Sequence, residues 1–74
     1  MDVFKNYCHD LGYLIREMAL EAKQDHVSNG TDFTAGYMAG FHRVVSLMQQ
    51  QCVGFRVPLE EIRLDGIDPD QDLV

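Results

Sequence analysis

One strong helix break precedes residue 58, and it fixes what this chain can fold into. Asp2 to Val27 contains a single glycine and no proline, and Ser28-Asn29-Gly30-Thr31-Asp32 then gathers turn and cap formers into five residues. Asn29 or Gly30 suits the left-handed residue that ends a helix, and Thr31 or Asp32 suits the N-cap of the next. The spacing predicts helix 1 over about 2–27, a turn at 28–31 and helix 2 over about 32–55. At about 100° per residue, Phe4, Tyr7, Cys8, Leu11, Leu14, Ile15, Met18 and Ala22 form one apolar stripe on helix 1. Tyr13 and Leu20 fall on the opposite side, between an acidic row (Asp10, Glu17, Glu21) and a basic row (Lys5, His9, Arg16, Lys23).

Helix 2 carries a wider stripe, including Phe33, Gly36, Tyr37, Gly40, Phe41, Val44, Leu47, Met48, Cys52 and Phe55. Met38 and Val45 extend it to roughly 200°. That width is too great for one partner helix and predicts a central element with several neighbours. Folding back at the turn brings positions whose numbers sum to about sixty level, since both helices rise ~1.5 Å per residue. Phe4 then meets Phe55, Leu11 meets Met48, Ile15 meets Val44, Met18 meets Phe41 and Ala22 meets Tyr37. The expected fold is all-α, an antiparallel two-helix hairpin over 1–56 followed by an acidic tail over 57–74. The tail reads as extended, with a short helical turn at 58–62 opened by Pro58 and single apolar anchors at Leu64, Ile67 and Leu73.

Two helices cannot enclose a core, so the hairpin is expected to associate into a four-helix-bundle dimer or higher oligomer. Tyr13, Leu20, Met38 and Val45 are the apolar residues left over once the seam is assigned. They are the candidate interface, together with Gly36 and Gly40, where bare backbone would admit a neighbouring helix of a second copy or, equally, a close contact within the chain. Charge rows beside Tyr13 and Leu20 favour a parallel over an antiparallel contact through that face.

Charge narrows the partners. The chain has twelve Asp and Glu against six Lys and Arg, a net charge of minus six. Residues 57–74 contribute minus five of that and the hairpin minus one. No basic patch supports nucleic-acid binding, and no apolar run reaches the eighteen residues of a membrane span. Met1-Asp2-Val3-Phe4-Lys5 lacks a basic region leading into an apolar run, so a cytoplasmic location is expected, with Cys8 and Cys52 as reduced, inert thiols.

Chemistry has little foothold. His9, His26 and His42 lack metal-ligand spacing, and Asp68, Asp70 and Asp72 begin like a calcium loop but have neither its glycine nor its terminal Glu. No cofactor, metal site or catalytic residue is expected, and the chain is read as no enzyme. The favoured function is a protein-interaction module or regulator that binds itself and one further protein. The alternative is an oligomeric binder of a small anionic ligand such as a nucleotide, using Tyr7 or Tyr13 to stack a ring and Arg16 or Lys23 to hold the anion.

The run Phe33-Thr34-Ala35-Gly36-Tyr37-Met38-Ala39-Gly40-Phe41-His42-Arg43-Val44-Val45-Ser46-Leu47-Met48-Gln49-Gln50-Gln51, with Val57-Pro58-Leu59 and Asp65-Gly66-Ile67-Asp68-Pro69-Asp70, resembles a group of short uncharacterised proteins from proteobacteria and their prophages. The resemblance implies a bacterial or phage protein. It brings with it no activity and no site residue.

Overall fold

A computed structural model describes residues 2–74; Met1, which the 1–56 hairpin and the N-terminal reading include, lies outside them. Helix α1 spans Val3–Ser28 and α2 spans Asp32–Phe55. A 3₁₀ turn follows at Leu59–Ile62, then a short helix α3 at Pro69–Asp72. Among the described residues there is no strand.

The ends of the long helices follow from their cap residues. Asp2 accepts a hydrogen bond from the Lys5 amide, 3.1 Å, at the start of α1. At the start of α2, Thr31 and Thr34 form a reciprocal capping box: the Thr34 amide donates to Thr31 Oγ1 at 3.1 Å, and the Thr31 amide donates to Thr34 Oγ1 at 2.8 Å. The chain leaves α2 through Arg56 at φ 57°, with the Val57 amide donating to the Cys52 carbonyl and the Arg56 amide to that of Val53. The 3₁₀ turn ends the same way at Arg63, φ 59°, where the Leu64 amide donates to the Leu59 carbonyl. Each is a Schellman-type stop with arginine where glycine is usual.

α1 and α2 pack side by side as a hairpin. His26 Nδ1 is hydrogen-bonded to Thr34 Oγ1 at 2.9 Å near the turn, and Cys8 and Cys52 line one groove at the open end. The core is Ala19, Ala22, Met38, Val45, Leu64, Ile67 and Leu73, with Ile15, Phe41, Met48 and Ile62 packed against it.

The segment after residue 57 therefore differs from the extended tail expected of it. It is ordered and lies on one face of the hairpin, and its three apolar anchors are core residues. Its acids have local partners: Asp68 caps α3 through the Asp70 amide at 3.0 Å, Glu61 pairs with Lys5 at 3.2 Å, and Asp70 meets His42 Nε2 at 2.9 Å. The hairpin donates in return. Arg16 Nη1 donates to the Arg63 carbonyl at 3.1 Å and to that of Asp65, and Lys23 Nζ donates to the Val74 carbonyl. Gln49 Nε2 donates to the carbonyls of Leu64 at 3.1 Å and Ile67 at 2.8 Å.

Candidate functional site

With the C-terminal segment on one side, the other side of the hairpin is open. From α1 it presents Phe4, Tyr7, Leu11, Leu14 and Met18, and from α2 Phe33, Tyr37, Val44, Leu47 and Phe55, all exposed. Phe4 is 74% exposed, and Phe33 and Phe55 are each 77% exposed. These residues belong to the stripes that periodicity assigns to the seam. The seam itself uses only their inner edge, Cys8, Ile15 and Ala22 on α1 against Phe41, Met48 and Cys52 on α2, which are buried or half-buried.

Size supports treating this face as a site. The accessible surface of the chain is 5278 Å², whereas a compact monomer of 8.4 kDa exposes about 4,600 Å². The excess of about 700 Å² approaches the ~800 Å² that each partner buries in a standard protein–protein interface. The molecule is also elongated, 42 × 22 × 17 Å, with a radius of gyration of 13.0 Å where about 11 Å is usual for its length. Lone exposed apolar residues are ordinary, but ten large ones on one face make a candidate docking surface.

The expected interface residues divide between two sides of the hairpin. Met38 and Val45, expected at the surface, are 6% and 0% exposed and lie in the core under the C-terminal segment. The reason is the ordered tail: it uses the outer third of the wide α2 stripe that looked unclaimed. Tyr13 lies beneath the Arg63 guanidinium, whose central carbon is 5.1 Å from the ring centroid. Leu20 is exposed on the side of α1 away from the open face. Gly36 and Gly40 do lie at the open face, and a Cβ at either would meet nothing within 4 Å.

Apart from Tyr7, which lies on the open face, the residues suggested for an anionic ligand are engaged within the chain. Arg16 and Lys23 hold carbonyls of the C-terminal segment, and Tyr13 carries Arg63. They act as clasps for the tail.

At the open end of the hairpin the face deepens into a groove of about 540 Å³, lined by Phe4, Cys8, Cys52, Phe55, Val57 and Ile62 among others. Both cysteines are free thiols. Burial pushes the Cys52 thiol above its ordinary value, and the neighbouring Cys8 adds to the shift. Among the described residues no three His, Cys, Asp or Glu side chains gather as a metal site, and no helix is long and apolar enough to cross a membrane.

Fold and site together define a small all-helical hairpin with one clasped face and one open apolar face. The chain matches no protein-family model, no curated protein and no solved structure.

Proposed function

We propose that this chain is a non-enzymatic protein-interaction module that works as a homo-oligomeric helical bundle, two antiparallel hairpins closing open face against open face. The observation that carries this reading is the exposed face of ten large apolar side chains, opposite a face already sealed by the C-terminal segment. A face of that size in contact with water opposes solubility, and a second copy covers it with matching chemistry. The surplus of exposed surface approaches what one partner contributes to a standard interface.

The polar groups support the non-enzymatic part of the reading. His26 is bonded to Thr34 and His42 to Asp70, and Arg16, Lys23 and Gln49 bind backbone carbonyls of the tail. Each has a role in holding the fold. Likeness in pattern to short proteobacterial and prophage proteins adds a bacterial or phage origin and a cytoplasmic setting.

Size-exclusion chromatography with light scattering tests the assembly. The expected mass is about twice the 8.4 kDa of the chain, or a higher multiple of it. A compact species of the single-chain mass at every concentration overturns the reading.

A further inference from the structure

The open face has charged borders, and they select one way of pairing it. On α1 the edge away from α2 carries Asp10, Glu17 and Glu21, all exposed. On α2 the edge away from α1 carries Arg43 and Gln50, also exposed. Neither Glu17 nor Arg43 has an ion-pair partner within the chain among the described residues. The His26–Thr34 hydrogen bond sets the register, and Cys8 and Cys52 lining one groove at the other end agree with it: residues whose numbers sum to sixty are level. Glu17 and Arg43 are such a pair. They lie level on opposite borders of one face, too far apart to meet within a single hairpin.

Resting on the dimer reading above, we infer that two copies pair about a two-fold axis parallel to the hairpin, so that Glu17 of each copy meets Arg43 of the other. Rotation about that axis lays α1 of one copy over α2 of its mate and keeps heights unchanged. Glu17 then faces the mate's Arg43 twice, and Asp10 faces the mate's Gln50. The other face-to-face two-fold runs across the hairpin. It lays α1 on α1 and α2 on α2, which brings the acidic row over itself and Arg43 over Arg43. Like charges at the rim disfavour that arrangement, while opposite ones fix register in the first. The two arrangements bury the same apolar side chains, so the charges decide between them. Gly36 and Gly40, bare at the α2 border, admit close approach of the mate's α1 in the favoured one.

Sedimentation equilibrium on a charge-swap set tests this. Glu17→Arg alone and Arg43→Glu alone are each expected to weaken dimerisation by roughly tenfold, since each makes two like-charged contacts; the double variant is expected to return to within about threefold of wild type. A second measurement does not depend on these variants. With Cys8→Ala and Cys52→Ala as background, a spin label on Ser28→Cys reads the turn-to-turn distance. The favoured axis puts the two turns at one end, below about 30 Å apart, and the crosswise axis separates them by the ~40 Å length of a 26-residue helix. A dimeric wild type whose double variant is no better than its singles, or whose labels are ~40 Å apart, overturns the pairing and leaves the dimer standing. A monomeric wild type overturns both.

Discussion

At Gly12 the backbone of α1 lies directly against the C-terminal segment. A Cβ there would overlap the carbonyl oxygen of Ile62, so the 3₁₀ turn rests directly on helix backbone. A glycine within a helix ordinarily costs ~1 kcal/mol against alanine, and Gly12→Ala at an open position would be stabilising by that amount. Here the sign is expected to reverse. The turn cannot yield without drawing Leu64 out of the core, and overpacking of this kind costs about 1–3 kcal/mol. Urea unfolding of Gly12→Ala reads it; unchanged or increased stability would show that the contact is looser than described. A lone helical glycine gives no periodic signal, so the sequence offers nothing at Gly12. Gly36 and Gly40, four apart, do draw notice, yet within one chain they face open space. Spacing marks a glycine pair as suited to close approach, but only tertiary structure says which glycine is approached.

Among the elements, the long helices are the legible part. Their ends coincide with the one dense cluster of turn and cap residues, and the roughly 200° stripe on α2 correctly implies more than one neighbour. The C-terminal segment is legible in part: a turn near 58–62 and the anchors Leu64, Ile67 and Leu73 can be read, but α3 and the packing of the segment over Met38 and Val45 cannot, because the anchors are separated by Asp, Gly and Pro with no helical or strand period. Its order comes from side chains of the hairpin that bind its carbonyls, and such bonds leave no trace in hydrophobic periodicity. The same ambiguity misplaces Met38 and Val45: an apolar stripe shows that a side chain avoids water without naming its cover. Leu64 tests whether the segment is integral. It is fully buried, so Leu64→Ala is expected to lower the unfolding free energy by about 3 kcal/mol, within the 2–5 kcal/mol usual for buried leucines. A cost below ~0.5 kcal/mol, the range of ordinary surface changes, would mean that the segment is a solvated tail after all.

For the whole molecule, stability and assembly become one question. Among the described residues only seven apolar side chains make up the core of a single chain, while ten large ones stay in water on the open face. An elongated body 22 by 17 Å in cross-section has little interior to enlarge, but stacking two doubles the layers and would turn the open face into a second core. Folding and association should then be coupled, and the melting temperature should depend on protein concentration by mass action. At ~0.7 kcal/mol per residue, two chains of 74 residues unfold with an enthalpy of about 100 kcal/mol near 60 °C. Against that enthalpy, each tenfold rise in concentration adds the free energy of a tenfold change in the dissociation constant, about 1.4 kcal/mol, and raises Tm by about 5 °C. Thermal unfolding followed by circular dichroism over two decades of concentration makes the measurement. A constant Tm would show that the hairpin and its clasped C-terminal segment fold alone, with the open face exposed to solvent in the stable species. If Tm instead rises as expected, Leu47→Glu, which places a charge within that face, should bring Tm down most at high concentration and flatten its dependence on concentration.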